Sequence, residues 1–185
     1  MPEPTTQHNV VGFLNPREVV KELPIEPGMK IADFGCGSGY FAFAFAEKTG
    51  IGGKIYAIDV LPTALESVRS QAKLRGLYNI EPLRADLETP GSTKLADESC
   101  DLVFIANVLF QSQKKSEIVS EAKRILKSGG ALIFIEWRPD AKIGPPAAGY
   151  KITTEEIQKL TGNLGLKLER QFEAGKFHYG MIFRK

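Results

Sequence analysis

Between residues 30 and 137, short apolar runs alternate with amphipathic segments. That alternation predicts an α/β fold, doubly wound with helices on both faces of a mostly parallel sheet. A glycine-rich turn, Asp33-Phe34-Gly35-Cys36-Gly37-Ser38-Gly39, follows the first apolar run and opens a helix, as such folds require at a ligand site. Two strand-like segments joined by a four-residue turn close the chain and predict a C-terminal antiparallel hairpin, which makes a sheet of seven strands.

Residues 1–14 are polar and are expected to be a loosely ordered tail on a single domain spanning 1–185. Asn15-Pro16 combines an N-cap with proline at the first helical position and starts a short helix to Leu23, which Pro24, Pro27 and Gly28 stop. Residues 30–34 form the first strand, 41–48 its helix and 54–59 the second strand. Residues 62–75 are helical because Ala64, Leu65, Val68, Ala72 and Leu74 share a face, and Gly76 ends them. Residues 80–86 make a weaker strand whose Pro82 suits a sheet edge. Residues 101–107 are a strong central strand, 114–126 a helix striped by Ile118, Val119, Ala122, Ile125 and Leu126, and 131–137 another strand. Between the last two, Lys127-Ser128-Gly129-Gly130 is expected to be a turn. Residues 138–151 are rich in Pro, Gly and Ala, and such a length of irregular chain suggests an active-site loop or lid. Thr153-Thr154-Glu155-Glu156 reads as a capped helix start running to Leu164. The hairpin strands are 167–172 and 177–184, with Glu173-Ala174-Gly175-Lys176 between them.

Composition removes several classes of function. At 185 residues the chain has the size of one domain with a substantial core, and 43% hydrophobic with 25% charged residues is ordinary for a soluble globular protein. A formal net charge of +2 is too small to draw nucleic acid or an anionic membrane by bulk electrostatics. Cys36 and Cys100 show neither metal-ligand spacing nor a disulfide framework, so no metal is expected and a reducing compartment fits. The Met1-Pro2-Glu3-Pro4 start lacks the basic and apolar regions of a signal peptide, and no apolar run approaches the ~18 residues of a membrane span. A cytoplasmic location is therefore expected.

The spacing inside the glycine turn discriminates further. A dinucleotide fingerprint G-x-G-x-x-G, counted from Gly35 and Gly37, would put its third glycine at Tyr40. The pattern present is Asp33-x-Gly35-x-Gly37-x-Gly39, which resembles the cofactor loop of class I S-adenosylmethionine-dependent methyltransferases. Asp59 ends the second strand, where an acid can bind both ribose hydroxyls through charge-assisted hydrogen bonds. The resemblance further implies that Val60 lies on the cofactor, that Asp86 takes the adenine amino group between Ala85 and Leu87, and that the turn after Asn107 passes beneath the methionine moiety and methyl group. With Asp33, Gly35, Cys36, Gly37 and Gly39, these residues are the expected site for S-adenosylmethionine, whose product is S-adenosylhomocysteine. The resemblance extends from Asn15 to the terminal hairpin and is nearest to the small ubiquinone/menaquinone-biosynthesis-type methyltransferases.

The expected acceptor edge lies at the carboxyl ends of the strands. Phe13, Asn15, Phe110, Gln111, Trp137, Arg138, Tyr150 and His178 are its lining candidates, and His178 is the weak candidate for a catalytic base. Neither an Asn/Asp-Pro-Pro-aromatic motif for a flipped base nor a Pro-Cys nucleophile follows the fourth strand, and there is no three-cysteine set for arsenic. A small-molecule acceptor is expected. An RNA or protein methyltransferase and a non-catalytic cofactor-binding regulator are the alternatives.

Overall fold

The structure, a computed structural model, describes residues 14–144 and 151–185. Its elements are α1 (Pro16–Glu22), β1 (Lys30–Phe34), α2 (Tyr40–Thr49), β2 (Lys54–Asp59), α3 (Pro62–Leu74), β3 (Ile80–Arg84) and β4 (Cys100–Ala106), followed by α4 (Lys115–Ile125), β5 (Leu126–Trp137), α5 (Thr154–Gly162), β6 (Lys167–Glu173) and β7 (His178–Arg184). A 3-10 turn, Leu109–Gln111, lies between β4 and α4. The seven strands form one sheet in the order β3-β2-β1-β4-β5-β7-β6. Pairings among β1 to β5 are parallel, and β7 runs antiparallel to both β5 and β6. The chain reverses direction across the sheet at β1 and β4, which is where α/β folds open a ligand crevice.

Alternation along the strands puts helices on both faces. On β5, Leu132 and Phe134 pack with Ile118, Val119, Ala122 and Ile125 of α4 and Ile157 of α5. Ile133 and Ile135 point the other way, to Val19 and Val20 of α1, Ala42 and Phe45 of α2, and Val68 and Ala72 of α3. The predicted caps are present. Asn15 Oδ1 accepts from the Arg17 N–H at 3.1 Å, and Thr153 forms a capping box with Glu156. As Pro82 predicts, β3 is an edge strand.

One expected turn is built differently. Lys127-Ser128-Gly129-Gly130 belongs to β5, yet Cys100 pairs with Leu126 and Leu102 with Ala131, so these four residues bulge out of the ladder. Gly129, at φ +76°, supplies the bend, and its N–H donates to the Lys185 carbonyl at 3.0 Å. The bulge is thus held by the end of the chain. Buried Glu121 of α4 performs a similar duty. It accepts from Thr93 Oγ1, from the Gly91 N–H and from Nε and Nη2 of Arg124, and so clamps the segment before β4. Burial alone would raise the Glu121 carboxyl, but these hydrogen bonds hold it down to about 2.

Candidate active site

The carboxyl ends of β1, β2, β3 and β4 surround a cleft of about 490 Å³. Gly35 and Gly37 line it from the glycine turn, Asp59, Val60 and Leu61 from the end of β2, and Ala85, Asp86, Leu87 and Glu88 from the end of β3. The far wall comes from Asn107, Val108, Gln111, Ser112 and Ile118. The expected residues Gly35, Gly37, Asp59, Val60, Ala85, Asp86, Leu87, Asn107 and Gln111 therefore meet in one place. Leu61, Glu88, Ser112 and Ile118 were not foreseen. Leu61 and Glu88 stand beside foreseen residues, Ser112 enters through the loop after β4 and Ile118 from α4, and no local pattern encodes the path that brings these last two in.

The glycine turn owes its shape to left-handed backbone. Gly35, Gly37 and Gly39 have φ of +72°, +51° and +86°, a region that costs a side-chain-bearing residue about 1–2 kcal/mol. A Cβ on Gly35 would also lie 2.4 Å from Val108 Cγ2, so the absence of a side chain lets the turn meet the loop after β4. The N–H groups of Gly35 and Cys36 both donate to the Ile58 carbonyl, and that of Gly37 donates to Asp59 Oδ2 at 2.9 Å. The Leu61 N–H donates to Asp59 Oδ1 at 2.9 Å. Thus the β2 acid is already aimed by backbone. α2 then starts at Tyr40, after Gly39 as its N-cap, with no acid in its first turn; the Ala42 N–H is taken by Asp33, which leaves those of Tyr40 and Phe41 for an anionic group. Asp86 is braced likewise, accepting from the Glu88 N–H and Thr89 Oγ1, while Ser112 Oγ donates to Glu88 Oε1 at 2.7 Å across the cleft.

Buried side-chain atoms without a hydrogen-bond partner among the described residues are Asp33 Oδ2, Asn107 Oδ1, Glu136 Oε2 and both ring nitrogens of His178. All sit at the carboxyl edge, at the ends of β1, β4 and β5 and the start of β7. Orphaned buried polar atoms are costly and scarce in a folded interior, so their concentration on one edge marks a place prepared for a ligand. Burial, and after it the charge of Asp59, pushes the Asp33 carboxyl up to about 7 despite a hydrogen bond from the Ala42 backbone. A cationic group bearing N–H donors would relieve both Asp33 and Asn107. S-adenosylmethionine has an ammonium and a sulfonium, so these residues fit it. Asn107 itself is held at φ +56°, an uncommon conformation for a residue with a side chain.

Toward β7, the rings of Trp137 and His178 are 4.1 Å apart at 39°. Gly144 also lies against Trp137, where a Cβ would come within 2.6 Å of its Cε3. Burial pushes the His178 imidazole down to about 4, so it is neutral at physiological pH. Arg138 is occupied: it binds both oxygens of Glu173 and Oδ1 of Asp140, and its N–H donates to the Phe177 carbonyl. Asn15 faces a separate hollow with Tyr40, Phe43 and Arg75 on the outside of α2. Half-buried Phe110 lies in the 3-10 turn beside the cleft and outside its lining. Cys36 does not line the cleft either, and burial drives its thiol well above the usual range. Phe13 and Tyr150 lie outside the described residues, as do residues 1–13 of the tail and 145–150 of the proposed lid. Among the described residues no group of His, Cys, Asp and Glu could hold a metal ion, and no helix is long and apolar enough to cross a membrane.

Comparison with known proteins agrees with this geometry. A family model described as a methyltransferase domain matches residues 25–178. The chain is 34% identical over 102 residues to aklanonic acid methyltransferase DauC of Streptomyces sp. (strain C5), covering 53% of this chain and 46% of the relative. It is 27% identical over 121 residues to demethylmenaquinone methyltransferase of Geobacillus stearothermophilus, covering 65% and 50%. The chain thus spans about half the length of these curated relatives. A solved structure described as a SAM-dependent methyltransferase from Aquifex aeolicus superimposes with a TM-score of 0.83 at 25% identity, covering 92% of this chain and 89% of that one.

Proposed function

This chain belongs to the methyltransferase domain family, in its class I S-adenosylmethionine-dependent form, and we propose that it transfers a methyl group to a small organic acceptor. The observation that carries the reading is the pairing of a backbone-aimed acid, Asp59, with the orphaned acceptor of Asn107 on one cleft, while the orphaned Oδ2 of Asp33 lies buried behind its lining at the end of β1. When bound, S-adenosylmethionine supplies an electrophilic methyl group on a sulfonium. The N–H groups of Tyr40 and Phe41, at the start of α2, receive the carboxylate of the methionine end. Asp33 and Asn107 face its cationic groups, Asp59 takes the ribose hydroxyls, and Ala85, Asp86 and Leu87 enclose the adenine.

Transfer forms one bond from the acceptor atom to the methyl carbon and breaks the carbon–sulfur bond, whose electron pair stays on sulfur. The protein's main task is alignment, since the donor is already activated. His178 and Trp137 face the acceptor in this reading, with the neutral imidazole accepting a hydrogen bond from the acceptor's reacting O–H or N–H, whose proton passes on to water as the new bond forms. The names of the curated relatives, which act on aklanonic acid and demethylmenaquinone, support a small-molecule acceptor. A cytoplasmic setting is supported by two cysteines that remain free.

Calorimetry with S-adenosylmethionine and S-adenosylhomocysteine tests the first half. Absence of binding by the wild-type chain would end the proposal. Incubation with a metabolite extract and detection of released S-adenosylhomocysteine tests the second half. Tight binding with no turnover across extracts would instead favour a cofactor-binding regulator.

A further inference from the structure

Glu136 is wholly buried near the end of β5 and has no task in the scheme above. Its Oε1 accepts from the Leu109 N–H at 2.9 Å, and the N–H groups of Val108 and Phe110 are turned to the same carboxyl group. Those three residues enter and form the 3-10 turn after β4. The same turn provides Asn107, Val108, Gln111 and Ser112 to the wall of the cleft. The turn starts from Asn107 in a left-handed conformation, which a residue with a side chain adopts only when its surroundings hold it there. Its internal bonds are few: Gln111 Nε2 donates to the Asn107 carbonyl at 3.1 Å, and the Gln111 and Ser112 N–H groups donate to Val108 and Leu109. The N–H of Asn107 is fixed to the Ile135 carbonyl, one residue before Glu136.

A carboxyl group in this apolar strand is costly, and a leucine would fill the space more cheaply. We infer that Glu136 is a positioning residue, whose carboxyl group draws in the backbone N–H groups of residues 108–110 and thereby sets the far wall of the cofactor cleft. This role presupposes that the cleft is the cofactor site proposed above. Burial pushes the Glu136 carboxyl up to about 8 against the pull of those N–H groups, so near neutral pH it accepts their bonds mainly as a protonated acid. A glutamine therefore preserves the role. Leucine preserves the volume and loses it. Across the ladder, Glu136 pairs with Tyr179, whose hydroxyl donates to the Ile152 carbonyl at 2.7 Å. Hence the cofactor wall and the returning end of the long loop are anchored on adjacent strands.

The test compares wild type, Glu136→Gln and Glu136→Leu by calorimetric titration with S-adenosylhomocysteine, well below each melting temperature. Glu136→Gln should bind within about threefold of wild type, and Glu136→Leu should bind roughly tenfold or more weakly, about 1.4 kcal/mol. A leucine variant with a lower melting temperature but unchanged affinity would overturn the inference, because it would make the residue a matter of stability alone. If the leucine variant does not fold, amide exchange decides on the wild-type chain. The Leu109 amide should exchange far more slowly than exposed loop amides, and exchange at the loop rate would overturn the inference. Should the wild type fail to bind S-adenosylhomocysteine, the cofactor reading falls, and the exchange measurement still judges the Glu136 contact by itself.

Discussion

The backbone N–H of Gly37 donates to Oδ2 of Asp59 at 2.9 Å, and this single bond joins the glycine turn to the acid at the end of the neighbouring strand. The two parts of the candidate cofactor site are thereby oriented by each other before any ligand arrives. Asp59→Ala removes both that brace and the carboxylate offered to the ribose. Charge-assisted hydrogen bonds of this kind contribute about 1.5–3 kcal/mol, so affinity for S-adenosylhomocysteine should fall roughly ten- to hundredfold by calorimetry.

Gly35→Ala meets two obstacles, a left-handed backbone at φ +72° and Val108 Cγ2 at 2.4 Å from the new Cβ. Together they should destabilise the protein by roughly 2–4 kcal/mol in denaturant unfolding. Adding Val108→Ala should return the steric part and leave the conformational part. Gly37→Ala has nothing within 4 Å of its Cβ and should show the conformational part alone. Equal losses at Gly35 and Gly37 would contradict the steric argument.

The Asp33 carboxyl is raised to about 7 by burial and by Asp59, so the folded protein holds this proton over a range where the unfolded chain releases it. Wild-type stability should therefore decline from about pH 4 to pH 7 by an amount on the order of 4 kcal/mol attributable to this residue. Glu136, raised to about 8, adds a decline of the same sign, whereas His178, lowered to about 4, adds stability as pH rises toward 6.5. Thermal melts of wild type and Asp33→Asn across that range isolate the first contribution. The variant should gain on wild type as pH rises and should bind the cofactor more weakly.

His178→Phe keeps a ring against Trp137 and deletes two buried nitrogens that have no partner among the described residues. Removing unsatisfied buried polar atoms is worth about 1–3 kcal/mol, so the melting temperature should rise by several degrees. Methyl transfer should fall while S-adenosylhomocysteine affinity stays unchanged. A variant with unaltered turnover would remove His178 from the acceptor side. Such opposition between stability and activity is what a residue kept for its chemistry produces.

Glu121→Ala is the contrasting case, since it leaves the Arg124 guanidinium, the Thr93 hydroxyl and the Gly91 N–H without their shared acceptor. A loss of about 3 kcal/mol in unfolding free energy is expected. Cofactor affinity, measured while the variant is folded, should be preserved.

The fold was legible because its signals are local: alternation of strand and helix, the Pro82 edge, the Thr153–Glu156 cap and the paired terminal strands all lie within short windows. Part of the cleft's lining was legible for the same reason, with Gly35, Gly37 and Asp59 at strand ends that the pattern marks. Glu136 was not, because a single acid in the apolar run of β5 reads as part of a strand. Its meaning depends on a turn contributed by residues 107–111 and brought to it by β4–β5 pairing. Arg138 carries a charge suited to a substrate, yet Glu173, thirty-five residues away, claims it. Asn15 met its expected capping role and faces the outside of α2. Such long-range partnerships leave no spacing to read.

The position of β7 between β5 and β6 has a consequence for how the molecule comes into being. A strand made from residues 178–184 is an interior one, so during synthesis β5 exposes an unpaired edge until those residues leave the ribosome. The first five strands can assemble as their segments emerge, whereas the ladder bearing His178 must wait. A nascent chain stalled before residue 178 should present an open, apolar sheet edge, the surface that chaperones hold and that aggregation exploits.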